Sequence, residues 1–238
     1  YTTLFRSWAA KLDNHRISYI CAEANNGFGY GHNLAMKRYL NDCEYFLICN
    51  PDISFTSGAL ESLYNFARNQ KHRFVSPRIQ YSDGRFQYSC RLLPTPANLF
   101  LRRFFPKWGA KLDATYEIQR ADYTKSFAVP SVSGCFMLVE STLLANLGGF
   151  DERYFMYLED VDLCRRALSM SDIVYFPGAT IIHVFGKGSY KNLNLFIYHM
   201  KSVVLYFNKW GWWHDPQRSK VNTTCLKTIP MTSPEIKR

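Results

Sequence analysis

Tyr45-Phe46-Leu47-Ile48-Cys49-Asn50-Pro51-Asp52 is an uninterrupted apolar run that stops at a turn tripeptide ending in a carboxylate. A short run without polar alternation is the pattern of a β-strand covered on both faces, and it points to an α/β layer architecture. Ligands of open α/β sheets bind beyond the carboxyl ends of the strands, which is where Asp52 falls. Asn-Pro-Asp alone is a turn signal, because proline fixes φ and Asn and Asp favour turns. The buried strand in front of it adds a second reading. Asp52 can hold a hard divalent cation, Mg2+ or Mn2+, that carries phosphate oxygens.

Outward from this strand the chain alternates strand and helix patterns. Residues 17–22 read as a strand, 25–31 as a Gly-rich loop and 33–40 as a short helix. Ser57 is placed to cap a helix whose Leu60, Leu63, Tyr64 and Ala67 share one face. Residues 74–79 and 85–90 read as strands joined by the turn Ser82-Asp83-Gly84. Residues 94–129 lack periodicity and predict a long loop with short helical pieces. Residues 132–140 form a strand pattern, and Ser141 is placed to cap a short helix that stops at Gly148-Gly149. A helix over 159–169, strands over 173–176 and 180–184, and an aromatic-rich helix over 193–213 complete the series. This alternation predicts an α/β sandwich with a mainly parallel central sheet.

The 238 residues are 47% hydrophobic and 16% aromatic, which excludes a disordered chain. No stretch of about 18 apolar residues is present to span a bilayer. Seven scattered cysteines without a Cys-x-x-Cys pair argue for reduced thiols in a cytosolic setting. The formal net charge of +10 favours anionic partners: nucleic acid, phospholipid headgroups or phosphorylated small molecules. Residues 1–7 read as a non-native, adapter-derived segment, 8–215 as the domain and 216–238 as a loose tail.

The second acidic cluster is Glu159-Asp160-Val161-Asp162. Acids at a helix start are common, because the helix dipole favours them. Here they follow the aromatic-rich stretch 149–157, and a carboxylate beside apolar neighbours can have a raised pKa and act as a base. Asp162 and Arg165 are spaced to pair on one helix. His183 closes the apolar stretch Thr180-Ile181-Ile182-His183-Val184, where a histidine is usually a core residue. It gains meaning as a second ligand if Asp52 holds a metal. The Gly-rich loop matches neither the P-loop nor the dinucleotide fingerprint. Close backbone approach to a nucleotide and a simple strand-to-helix turn both remain open for it. Arg102, Arg103, Lys107 and Lys111 among aromatic and apolar neighbours, and the later run 196–213, fit a solvated edge or an interfacial segment on anionic lipid.

In their order along the chain, Asn26-Gly27-Phe28-Gly29 with Asn33, Asn50-Pro51-Asp52, Ser133-Gly134, Gly149-Phe150-Asp151-Glu152, Tyr154 to Tyr157, Glu159-Asp160-Val161-Asp162 and His183 resemble the inverting family 2 glycosyltransferases of GT-A fold. The likeness is greatest to the rhamnosyltransferase-like subgroup and runs from about Ile17 to Tyr206. It implies a GT-A three-layer sandwich that binds a nucleotide-sugar donor. It further implies Asp52 as metal-binding acid, Asp160 as base with Glu159 as the alternative, and His183 as a metal ligand. Asn26 and Gly27 would lie against the nucleotide, and Gly134 would line the sugar or acceptor pocket. The implied reaction is sugar transfer, with rhamnose as the first choice, to a saccharide or lipid-linked acceptor in cell-surface polysaccharide synthesis. The implied location is the cytoplasmic face of the plasma membrane, with peripheral membrane contact. Family members begin with a strand-helix unit ahead of the Asn-Gly-Phe-Gly loop, so the chain reads as a fragment lacking part of the donor site. Alone, it is expected to be poorly stable and inactive.

Two other classes compete. The charge and interleaved aromatics fit a non-catalytic protein that binds nucleic acid or anionic glycans. No RNP1-like sequence, helix-turn-helix signature or repeated basic stripe accompanies them. The acidic pair also fits another nucleotide-diphosphate enzyme, such as a nucleotidyltransferase.

Overall fold

The computed structural model describes residues 16–104, 114–184 and 193–232. In chain order the elements are α1 (Phe28–Tyr39), β1 (Tyr45–Cys49), β2 (Ile53–Phe55), α2 (Ala59–Gln70), β3 (Phe74–Tyr81), β4 (Cys90–Arg91), α3 (Pro96–Phe104), β5 (Phe127–Ala128), β6 (Ser131–Val132), β7 (Phe136–Glu140), α4 (Ser141–Leu147), α5 (Glu159–Ala167), β8 (Val174–His183), α6 (Leu193–Trp210) and α7 (Pro216–Thr228). The main sheet runs β1-β7-β3-β8-β2, with β5 pairing the start of β8, and β4 and β6 form a separate small ladder.

The apolar run of β1 has no polar alternation because its two sets of side chains enter different cores. Phe46 and Ile48 pack with Met36 of α1 and Leu143 and Leu144 of α4. Tyr45, Leu47 and Cys49 pack on the other face, with Leu63 and Ala67 of α2. Each fully buried side chain of this kind contributes about 1.5–3 kcal/mol. Helices therefore cover both faces of the sheet, giving the GT-A type α/β three-layer sandwich. A third cluster, including Tyr154, Leu158, Val161, Val203, Tyr206 and Phe207, packs α6 against α5.

The sheet is mixed where a mainly parallel one was expected. β3 and β8 run parallel, whereas β1–β7, β3–β7, β2–β8 and β5–β8 are antiparallel. Alternation of strands and helices does not report direction, and β7 reverses between two neighbours. Residues 17–22 join no ladder among the described residues and form no strand. Helix α1 starts at Phe28, so Gly29 and Gly31 of the expected loop are helical. Gly58, in the left-handed region at φ 79°, opens α2 without a side-chain cap from Ser57. The return strand after Gly84 shrinks to a bridge between Gln80 and Phe86 plus the short β4. Ser141 is the first residue of α4 and does not cap it. The two strands expected over 173–184 are one, β8, whose register with β3 shifts between Pro77 and Arg78.

The loose-tail expectation for 216–238 is corrected by α7. Asp215 accepts a hydrogen bond from the Arg218 N–H at 2.9 Å and Pro216 occupies the first helical turn, both standard helix-start chemistry. Residues 1–7 lie outside the described residues, as do Lys107 and Lys111.

Candidate active site

The turn after β1 is tied to its neighbours by main-chain bonds. Asn50 N–H donates to Cys135 O at 2.9 Å and Val184 N–H donates to Asp52 O at 3.0 Å. β2 then pairs with β8 so that Ile53 faces His183. These bonds bring Asp52 to the carboxyl ends of β1, β3 and β8, and Oδ2 of Asp52 lies 3.4 Å from His183 Nε2. Burial holds the His183 imidazole below its ordinary pKa, against the opposing pull of Asp52, so the pair is a neutral imidazole beside a carboxylate. His183 Nδ1 is 3.2 Å from Gln87 Oε1. An N–H donated there leaves the Nε2 lone pair facing Asp52, the arrangement of a metal-ligating histidine fixed by its outer partner.

Asp52 Oδ1 is buried and has no hydrogen-bond partner among the described residues. An orphaned carboxylate oxygen beside a neutral imidazole fits a hard divalent cation whose remaining ligands come from phosphate and water. No group of three or more His, Cys, Asp or Glu with metal-ligand geometry occurs among the described residues. The fit is therefore to a two-ligand site and not to a complete protein cage.

The opposite wall is built from the start of α5. Tyr157 and Leu158 both take left-handed backbone conformations, at φ 71° and 65°. Two consecutive non-glycine residues in that region cost about 1–3 kcal/mol each, strain of a kind that clusters at functional sites. The bend aims Asp160 at the loop between β6 and β7. There Asp160 Oδ2 accepts the Gly134 N–H at 2.9 Å and Oδ1 accepts the Val161 N–H at 2.8 Å. A Cβ on Gly134 would sit 2.9 Å from Asp160 Cβ, so only glycine permits this approach. Glu159 is buried, its Oε2 has no hydrogen-bond partner among the described residues, and burial, then the neighbouring Asp160, push its carboxyl up to about 8.

Asp52, Gly134, Glu159, Asp160 and His183 line one cleft of about 630 Å³, with Gln87, Arg91, Glu117 and Tyr157. That volume suits a small-molecule ligand. Burial pushes the Cys135 thiol on its floor up to about 11, and Asp160 and Asp52 both add to the shift. The cleft wall is acidic although the chain is basic.

Two expected donor-site residues are not among those lining the cleft. Gly27 instead abuts Phe155, whose carbonyl accepts the Phe28 N–H at 2.9 Å, and Asn26 is exposed. Phe28 lines the cleft in their place. The expected Asp162–Arg165 pair is also replaced. Asp162 binds Arg166, Lys209 and Trp210, whereas Arg165 is buried against Asp215 at 2.7 Å. Gln87 and Arg91 also line the cleft, in a region whose sequence reads as an ordinary hairpin. The alternation of Phe86 and Tyr88 about Gln87 was the available signal.

A family model described as glycosyltransferase-like family 2 matches residues 3–197. N-acetylglucosaminyl-diphospho-decaprenol L-rhamnosyltransferase of Mycobacterium tuberculosis is 29% identical over 186 residues, 74% of this chain and 59% of the relative. Rhamnosyltransferase WbbL of Escherichia coli is 28% identical over 189 residues, 76% of this chain and 69% of the relative. The low-salt glycan biosynthesis hexosyltransferase Agl10 of Haloferax volcanii is 25% identical over 166 residues, 68% of this chain and 48% of the relative. The chain thus spans about three fifths of the mycobacterial protein's length. Among solved structures, GalNAc-T7 with UDP, GalNAc and Mn2+ superposes with a TM-score of 0.53 at 12% identity, covering 76% of this chain and 34% of that one. That likeness concerns the fold alone.

Proposed function

The chain belongs to glycosyltransferase-like family 2, and from that premise we propose that it transfers a sugar, rhamnose first among the candidates, from a nucleoside-diphosphate donor to a lipid-linked saccharide with inversion. The observation that carries the reading is the convergence of Asp52 with His183 and of Asp160 with Gly134 on one cleft.

Asp160 is the base. Its two oxygens each accept one main-chain N–H, which holds the carboxylate in place. The remaining lone pairs can receive the proton of an acceptor hydroxyl as that oxygen attacks the anomeric carbon from the face opposite the leaving group. The developing positive charge on the sugar resembles the oxocarbenium-like state of glycoside hydrolysis. Glu159 stays protonated below about pH 8, which limits the pair to one negative charge. Asp52 and His183 would hold Mg2+ or Mn2+, which supplies charge neutralisation for the departing nucleoside diphosphate.

No helix among the described residues is long and apolar enough to cross a membrane. Exposed Leu193, Ile197 and Val204 beside Lys201 on α6 support peripheral contact at the cytoplasmic face, where a lipid-linked acceptor would be met. The test is a donor screen of the full-length protein with dTDP-rhamnose and other nucleotide sugars, with and without Mn2+. Sugar transfer that needs both donor and cation is the expected result, and nucleotide binding without transfer to any acceptor would refute it.

A further inference from the structure

Arg91 is the only Lys or Arg among the described residues that line the cleft. Its Nε is buried without a hydrogen-bond partner, and it forms no ion pair among the described residues. Four acidic side chains, those of Asp52, Glu117, Glu159 and Asp160, line the same cleft. The main chain fixes its place. Arg91 faces Ser131 across the β4–β6 ladder, and the Ser131 hydroxyl donates to Arg91 O at 3.1 Å. Leu92 N–H donates to Tyr116 O at 2.9 Å, and Ser133 N–H donates to Ser89 O at 3.0 Å. The strand paired with Arg91 therefore runs directly into Gly134, the residue that holds Asp160.

A half-buried guanidinium whose Nε has no hydrogen-bond partner among the described residues has lost hydration that a bound anion would replace. Its planar fork matches phosphate oxygens two at a time, which a carboxylate-lined cleft otherwise repels. We infer that Arg91 is the cleft's phosphate anchor, taking a phosphate or diphosphate group of a substrate through direct hydrogen bonds and without help from a cation. The inference rests on the transferase reading for its substrates. Two sources share the chemistry: the nucleoside diphosphate of the donor and the diphosphate of a lipid-linked acceptor.

The first measurement is calorimetric titration of inorganic pyrophosphate into the full chain in EDTA, which removes any cation held at Asp52. Wild type binds, Arg91→Gln binds about 10- to 100-fold more weakly, and Arg91→Lys falls between them. Equal binding by wild type and Arg91→Gln, or no binding by wild type, overturns the inference. If Arg91→Gln loses its melting transition, Arg91→Lys, which keeps the aliphatic stem, carries the comparison alone. Steady-state kinetics then separate the sources. A raised KM for the nucleotide sugar marks the donor, and a raised KM for a short-chain prenyl-diphosphate acceptor marks the acceptor. A fall in kcat with both KM values unchanged overturns the inference. Full-length wild type that transfers no sugar would refute the transferase reading, while the pyrophosphate titration still decides the role of Arg91.

Discussion

The main-chain N–H of Gly134 donates to Asp160 Oδ2 at 2.9 Å, joining the strand layer to the start of α5. The contact exists because Gly134 has no side chain, and it fixes one oxygen of the carboxylate that faces the cleft. Asp160→Asn keeps the size and loses the basicity, so turnover is expected to fall about 10²–10⁴-fold with an unchanged melting temperature. Gly134→Ala pushes Asp160 aside, and a displacement near 1 Å costs about 10²-fold. Rates of sugar transfer for the two variants, alongside their circular dichroism, check both statements.

The Gln87–His183–Asp52 chain makes a separate claim about metal affinity. Gln87→Leu removes the partner of His183 Nδ1 without touching Asp52 and His183, the two residues proposed to hold the cation. Apparent Mn2+ affinity should drop about 10- to 100-fold, the usual loss when such an outer partner is removed. Electron paramagnetic resonance of free Mn2+ during titration measures this directly. Unchanged affinity would mean that the His183 ring is oriented by something other than Gln87.

Glu159 links stability to pH. Its folded pKa of about 8 lies above the ordinary carboxylate value, so between about pH 4.5 and 8 the folded state binds more protons than the unfolded one. Stability is therefore greatest at the acid end of this window and declines as pH rises, by at most about 1.4 kcal/mol per pH unit from this group. Glu159→Gln should flatten the decline. Urea melts at pH 5, 6.5 and 8 test it, and parallel curves for wild type and variant would contradict it.

The buried pair of Arg165 with Asp215 pins α7 to α5, the helix that carries Asp160. Their side chains are 1% and 3% exposed, and Arg218 adds a second contact to Asp215 at 3.7 Å. Asp215→Ala strands a buried guanidinium and removes the cap of α7, so it should cost about 3–5 kcal/mol. Equilibrium denaturation gives the value. A loss below 1 kcal/mol would show that the last helix is energetically detachable.

The sequence alone determined the two-faced strand Tyr45–Cys49, the acidic turn at its end and the acidic start of α5, because burial on both sides and helix-start chemistry are local properties of composition. It determined in the same way that Gly148, in the left-handed region at φ 69°, ends α4. Strand direction and pairing were left to the tertiary structure, since an antiparallel β7 has the same apolar content as a parallel one. The partners of Asp162 and Arg165 were likewise decided in space: helix spacing offers an i, i+3 pair, but Lys209, Trp210 and Asp215 arrive from elements some fifty residues away. The loose-tail reading of α7 failed for a different reason, as Asp215-Pro216 was a visible helix start outweighed by weak periodicity. Arg91 could be recognised only once β4 paired with β6. Whether a basic side chain faces water or a cleft full of carboxylates depends on which strand lies beside it, and no local pattern contains that information.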